Sequence, residues 1–293
     1  MAEYVYPDTV YYRKPRRAPY SLDRACYPSK KYLKKHLIVA AHTVTIMPCS
    51  SNNRKSLFHT LRSIKTHKET CDSVLVCFDN SSPKLENRRR LKDYVESLGY
   101  IYKYCNWPFS LSAIYNLGTL LTNSKFIVHS AADVTYTPGW LDEIREMWEI
   151  HGRKYNSYHP VAAPKGGLEG PQWTRLKTPR KVVPVSDPIA HVQVFYRPDV
   201  YHWDEALPWW ESDCDYWLWM SYHKKTGALC MGARVDTYVR GIIESVDPES
   251  VPRGHLDSSV AWHHIRRKWG AFMPLGEKEF ERTYCAQPWD TEE

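Results

Sequence analysis

The chain has 293 residues, 43% of them hydrophobic and 25% charged, an ordinary globular mixture that excludes a disordered protein, a collagen and a disulfide miniprotein. Lys and Arg number 40 against 33 Asp and Glu, a net charge of +7. No stretch approaches the roughly 18 consecutive apolar residues of a spanning helix; the nearest, Leu37–Pro48, is interrupted by His42, Thr43 and Thr45.

Behind Met1 there is no basic region followed by an apolar one, so no secretory signal is read, and the protein is expected to be soluble and cytoplasmic, in the host cytoplasm if viral. The eight cysteines (Cys26, Cys49, Cys71, Cys77, Cys105, Cys214, Cys230, Cys285) lie scattered with no CxxC pair. Reduced thiols are expected rather than a zinc site or a disulfide framework. The positive charge is concentrated at the front: residues 1–37 carry nine basic groups against three acidic ones, interleaved with seven tyrosines and four prolines. Such a mixture suits a polyanion met through ion pairs and ring stacking. A solvated arm whose tyrosines pack down on the domain has the same composition. A second basic cluster, His263 to Trp269, adds to the case for a polyanionic partner.

In chain order, Val44–Met47 is a short β-favouring run ended by Pro48 and the polar Ser50–Asn53, as a buried strand entering a loop should look. Leu57, Leu61 and Ile64 then recur at i, i+4, i+7 and predict a helix with one apolar face. Val74–Phe78 is the next buried strand, stopped by the turn formers Asp79 to Pro83. Residues 84–98 predict an amphipathic helix with Gly99 as C-cap. Tyr100–Lys103 reads as a third strand, Ser110–Thr122 as a helix, Phe126–His129 as a strand and Pro138–Ile150 as a helix. This alternation over 43–150 implies an α/β fold with a mainly parallel sheet, helices on both faces and ligands beyond the carboxyl ends of the strands. From 151 to 188 the pattern dissolves into Gly, Pro and basic residues, which reads as a functional loop or lid. Val192–Tyr196 resumes as a strand, 213–226 as a helix ended by Gly227, and Ala228–Val235 as a short strand; no internal repeat is visible.

Three places carry chemistry. Asp79 follows a buried strand and sets a carboxylate at the sheet's edge, where it can accept hydrogen bonds from a base or ribose; an Asx-turn cap uses the same spacing. Asp133 also follows a strand and is suited to a divalent metal bridging two phosphates. Glu211, Asp213 and Asp215 fall within five residues ahead of a helix, between Trp209-Trp210 and Tyr216-Trp217. Acids there commonly cap a helix and oppose its dipole. A carboxylate in a Trp-rich cleft also has its basicity raised and faces a ring that stacks on indole.

Taken in order, these stretches resemble the GT-A (Rossmann-like) fold of family 2 glycosyltransferases. Val44–Asn53 looks like the first strand and nucleotide-binding loop, and Val74–Ser82 like the second strand with its uracil-contacting acid at Asp79. Ala113–Gly118 is similar to an Arg-Asn-x-Gly helix start, with Asn116 and Gly118 matching and Tyr115 in place of the Arg. Ala131-Ala132-Asp133 falls where the family has Asp-x-Asp, so only the last acid survives; Pro138-Gly139-Trp140 follows as in the family. His202–Glu205, Ser212–Asp215 and Lys225–Gly227 resemble Phe-Asp-Glu, Glu-Asp-x-Asp and basic-x-Gly, and Arg266–Gly270 resembles a common tail element. The similarity covers residues 43–235 and that tail.

The resemblance implies an inverting glycosyltransferase that uses a nucleoside diphosphate sugar. Asp213 would be the catalytic base. Pro48, Ser50, Asp79, Asn80, Asn116 and Asp133 would meet the donor, and Trp209, Trp210, Glu211 and Asp215 the acceptor. Mn²⁺ or Mg²⁺ is expected at Asp133, with His263 a third-ligand candidate beside His255 and His264; Lys165, Arg175, Lys177 or Arg180 are the cationic alternative. The domain reading is a basic arm over 1–42, a GT-A domain over 43–240 (donor half 43–150, acceptor half 151–240 with loop 151–188) and a C-terminal extension over 241–293. The charged arm fits a polyanionic acceptor, and hydroxymethylated bases in double-stranded DNA, glycosylated by bacteriophage enzymes, are one such class. A polysaccharide or lipopolysaccharide acceptor, and a non-catalytic GT-A-like module binding nucleotide or nucleic acid, are the alternatives.

Overall fold

A computed structural model of the chain describes residues 9–10, 42–49, 54–68, 73–79, 85–105, 110–132, 134–164, 180–185, 192–207, 212–237 and 258–270. The elements in order are β1 (Thr9–Val10), β2 (Thr43–Cys49), α1 (Arg54–Lys68), β3 (Ser73–Asp79), α2 (Leu85–Ser97), β4 (Ile101–Cys105), α3 (Leu111–Leu121), β5 (Phe126–Ser130), β6 (Val134–Tyr136) and α4 (Trp140–His151). Then come β7 (Tyr158–Pro164), β8 (Val182–Val185), β9 (Val192–Tyr196), α5 (Ser212–Tyr222), β10 (Gly227–Thr237) and α6 (Ser258–Trp269). All ten strands join one sheet in the order β1-β4-β3-β2-β5-β9-β7-β10-β6, with β8 also on β10. The run from β1 to β5 is parallel throughout, β9 is antiparallel to both its neighbours, and β7 pairs parallel with β10.

Side chains alternate across the strands and build two cores. Met47, Cys77, Val128 and Val194 point to one face, covered by Leu57, Leu61 and Ile64 of α1, Leu91 and Val95 of α2 and Ile144 and Met147 of α4. Ile46, Val76, Ile127 and Phe195 point to the other, under Ile114 and Leu117 of α3 and Tyr216 and Met220 of α5. The outer side of α5 (Cys214, Trp217, Leu218) is covered in turn by Ala261, Trp262 and Ile265 of α6. Because α5 is buried on two sides, its sequence is aromatic nearly all round.

Gly118 faces β2 so closely that an added Cβ would lie 2.6 Å from Ile46 Cγ2 and 2.7 Å from its Cδ1. Gly118→Ala is expected to cost about 1–3 kcal/mol by overpacking. Urea unfolding would show it as a lower midpoint at unchanged slope.

The expected strands and helices up to residue 150 are present within a few residues of their predicted ends, and Gly99 takes the positive φ of 75° of a helix C-cap. Three readings are corrected. The stretch 151–188 is not all loop, since β7 and β8 lie within it, although residues 165–179 and 186–188 fall outside the described part. Pro160 and Pro164 hid β7; Pro160 sits opposite Cys230, where the ladder to β10 shifts before resuming at Val161 with Arg234, so its missing N–H falls at an irregularity. The helix expected over 213–226 ends at Tyr222, with Lys224 in the left-handed region at φ 52°, and Gly227 is the first residue of β10 rather than a cap. Finally, β10 runs for 11 residues, longer than the predicted Ala228–Val235.

Among the described residues Cys77, Cys105, Cys214 and Cys230 are in no disulfide, and no helix is long and apolar enough to cross a membrane.

Candidate functional site

The parallel strands end along one rim: Cys49, Asp79, Cys105 and Ser130 close β2, β3, β4 and β5. Asp79 is fully buried there, opposite Cys49 and Tyr104 in the neighbouring strands, and its Oδ2 accepts the Tyr102 hydroxyl at 2.8 Å. Its negative charge adds to burial in pushing the Cys105 thiol well above the usual range. Pro48 is buried on β2 opposite Phe78, one step before the rim. Ser50, Asn80 and Asp133 lie outside the described residues. Their flanks are clear: Ala131 and Ala132 follow β5, the Ala132 carbonyl accepts from Thr60 Oγ1 at 3.0 Å, and Val134 opens β6 opposite Thr237.

Asn116 is a clamp inside the protein. Its Nδ2 donates to the Trp203 carbonyl at 2.8 Å and to Glu205 Oε1 at 2.9 Å, and its Oδ1 accepts from the Trp203 amide at 2.9 Å. Two motifs far apart in sequence thus meet, and the amide expected to contact the donor is engaged with residues 203–205. Tyr115 stacks on His129 with centroids 4.4 Å apart. His129 accepts on Nδ1 from Trp203 Nε1 at 3.0 Å, so its proton sits on Nε2, 3.2 Å from Thr119 Oγ1. Burial alone lowers its pKa to about 3 and keeps it neutral.

These contacts tie the chain leading into α5 to the rim. Ser112 Oγ, in the first turn of α3, donates to the Leu207 carbonyl at 2.6 Å. From that end α5 runs down the sheet to Tyr222, and just beyond it Lys225 Nζ donates to Asn156 Oδ1, ahead of β7, at 3.2 Å. Asp213 therefore stands at the rim end of α5, half-buried in the first turn, its Oδ1 accepting the Cys214 amide at 3.1 Å. Trp209, Trp210 and Glu211 lie outside the described residues.

Asp215 belongs to a different setting from the one expected of an acceptor ligand. It has no solvent exposure. Its Oδ1 accepts from Trp269 Nε1 at 2.6 Å; its Oδ2 accepts from Lys268 Nζ at 2.9 Å and from the Tyr201 hydroxyl. A carboxylate with no access to water needs such partners. Lys268 also donates to Asp204 Oδ2 at 2.8 Å, which His264 Nε2 approaches at 3.0 Å. Burial pulls the Lys268 ammonium down, but Asp215 and Asp204 outweigh it and the net shift is upward. Desolvation likewise pushes Asp204 up, and hydrogen bonds from His264 and Lys268 overcome it, so Asp204 ends well below the usual carboxylate range. The sequence shows the Asp204 motif only through resemblance and the tail as a basic cluster as well; their partnership is carried by contacts between residues up to 64 apart.

No group of three His, Cys, Asp or Glu side chains is placed to hold a metal among the described residues, and His263 is exposed on α6. With alanine at 131 and 132, the donor set on this segment reduces to Asp133.

The parallel run from β1 to β5, continued by the antiparallel β9 and flanked by helices, is a GT-A fold. Among solved structures, GalNAc-T7 with UDP, GalNAc and Mn²⁺ is similar with a TM-score of 0.57 and 13% identity, over 84% of this chain and 55% of that one. S. aureus TarS 1–349 is similar with a TM-score of 0.53 and 12% identity, over 82% of this chain and 68% of that one. The same TarS fragment in complex with UDP matches at 0.53 and 13% identity. No protein-family model matches the chain, and no curated protein matches its sequence.

Proposed function

We propose that this protein is an inverting, nucleotide-sugar-dependent glycosyltransferase. The observation that carries the reading is a GT-A sheet whose donor-side rim holds Asp79, with Asp213 at the rim end of α5. The neighbours crystallised with UDP support a uridine diphosphate sugar as donor. In this reading the base and ribose lie near Pro48, Ser50, Asp79 and Asn80, and the diphosphate near Asp133. The acceptor hydroxyl approaches from the side of Trp209, Trp210 and Glu211. Asp213 takes its proton as the oxygen attacks C1, the bond from C1 to the diphosphate breaks, and the anomeric centre inverts. Asp215 and Asn116 support the walls of the site rather than touching substrate. A divalent ion, Mn²⁺ or Mg²⁺, held by Asp133 and the diphosphate oxygens, would supply charge neutralisation at the leaving group.

For the acceptor we propose a polyanion, with a hydroxymethylated base in duplex DNA as the chemistry that best fits the basic, tyrosine-rich residues 1–37 and the net charge of +7. Incubation with a panel of sugar nucleotides and with modified DNA, plain DNA and neutral saccharides, read by mass spectrometry, tests both parts. A hexose or pentose mass added to modified DNA alone, with a rate falling steeply with salt, is the expected result. Addition to saccharides with no salt slope would move the acceptor to a glycan; no addition and no donor turnover anywhere would leave a binding module. Loss of turnover in EDTA, restored by Mn²⁺, is expected; turnover indifferent to EDTA would assign the diphosphate to cationic side chains.

A further inference from the structure

We propose that α6 is a latch that sets the rotation of α5, and that Asp215 and Lys268 are positioning residues for Asp213; this rests on the reading of Asp213 as the base. Each helical residue advances by about 100° around the axis, so residues two apart in the same turn look to roughly opposite sides. Asp213 and Asp215 stand in that relation in the first turn of α5. One carboxylate is half-buried at the rim and the other is sealed.

Asp215 is gripped from two elements. Tyr201, in the segment following β9, holds Oδ2 from one side; Lys268 and Trp269, at the end of α6, hold both oxygens from the other. Any rotation of α5 that moves Asp213 by an ångström drags Asp215 off these donors and strands a charge with no water to receive it. Lys268 extends the grip to Asp204, next to the Trp203 and Glu205 groups that Asn116 clamps. The loop before α5, the first turn of α5 and α6 are thereby fixed to one another at a single ammonium. The apolar contacts of Ala261, Trp262 and Ile265 with Cys214, Trp217 and Leu218 hold α6 against α5. Reaction rate depends on sub-ångström placement of the base, so a lost latch should appear in turnover before it appears in donor affinity.

The experiment compares Lys268→Met, Lys268→Arg and Trp269→Phe in the full chain. Lys268→Met is expected to lower kcat at least tenfold with the donor KM within twofold, and Lys268→Arg, which keeps the charge and the donors, to recover most of it. Trp269→Phe keeps the ring and loses the indole N–H, and should fall between them. Hydrogen exchange supplies a readout independent of activity: the amides of residues 213–216 should exchange at least tenfold faster in Lys268→Met while those of α3 do not change. If all three variants turn over in proportion to their folded fraction and exchange at 213–216 is unaltered, the latch is refuted even when the enzyme is active. If the wild-type chain transfers no sugar to any acceptor, the functional reading fails, and the exchange result alone decides whether the latch exists. Should Lys268→Met fail to fold, the Arg and Phe variants carry the same comparison.

Discussion

Asp213→Asn is expected to reduce sugar transfer by about 10²–10⁴-fold, the range for removing a general base. Donor binding, measured by calorimetry with UDP, should stay within about twofold, since the substitution leaves the rim around Asp79 untouched. The amide keeps an oxygen where the carboxylate accepts the Cys214 amide, so the local turn is preserved. Removing a negative charge from the first turn of α5 forfeits its favourable interaction with the helix dipole, about 0.3–1 kcal/mol, and the thermal midpoint should shift only slightly. Asp215→Asn offers the contrast: it removes one of the two carboxylates paired with Lys268, at a position with no solvent exposure, and should lower stability markedly as well as rate. Transfer by Asp213→Asn at the parent's rate would remove Asp213 from the mechanism; loss of UDP binding along with transfer would make it a donor ligand.

How far the sequence carried this picture depended on whether a signal was local. Val44–Met47, Val74–Phe78 and Phe126–His129 are short apolar runs bounded by turn formers, and each became a central parallel strand because both faces are buried. Leu57, Leu61 and Ile64 cover one face as their spacing required. β7 was missed because two prolines argue against a strand, and only the irregular pairing with β10 makes room for Pro160. β8, with Val183 and Pro184 both exposed, is an edge strand whose composition reads as loop. α6 was seen as a basic cluster because Arg266, Arg267 and Lys268 crowd its last turn, while its apolar contacts are spread over Ala261, Trp262 and Ile265. At the site, the position of Asp79 at a strand end was legible. The sealed state of Asp215 was not, since its Lys268 partner lies 53 residues away. The engagement of Asn116 depends on residues 87 and 89 positions distant.

Acid should unfold the protein well above the pH at which ordinary carboxylates titrate, because two histidines are buried neutral. His129 lies between Tyr115, Phe195 and Trp203, with Thr119 on Nε2 and no charged group among its hydrogen-bond or ring partners. His159 donates from Nδ1 to the Val192 carbonyl at 3.2 Å and accepts on Nε2 from Ser157 at 2.7 Å. That serine takes the Tyr216 hydroxyl at 2.9 Å, which in turn accepts from Asn156. A proton on His159 Nε2 would turn an acceptor into a donor and break this chain from β7 to α5. Burial lowers the pKa from 6.5 to about 3 for His129 and to about 4 for His159, the latter against an opposing pull from the Val192 carbonyl. Both folded values lie below the unfolded one, so the unfolded chain binds the extra protons: the stabilisation is complete above pH 6.5 and drains as pH falls toward 4 and then 3. Each group contributes a slope of about 1.4 kcal/mol per pH unit, so the pair removes about 5 kcal/mol between neutrality and pH ~4.5. A domain of this kind holds about 5–15 kcal/mol in all. Urea unfolding at a series of pH values should therefore show the midpoint collapsing between pH 6.5 and 4.5. His129→Asn and His159→Asn, though less stable at pH 7, should each flatten that slope by about 1.4 kcal/mol per unit. A slope that is the same in both variants as in the parent would mean that neither ring is held neutral in the folded core.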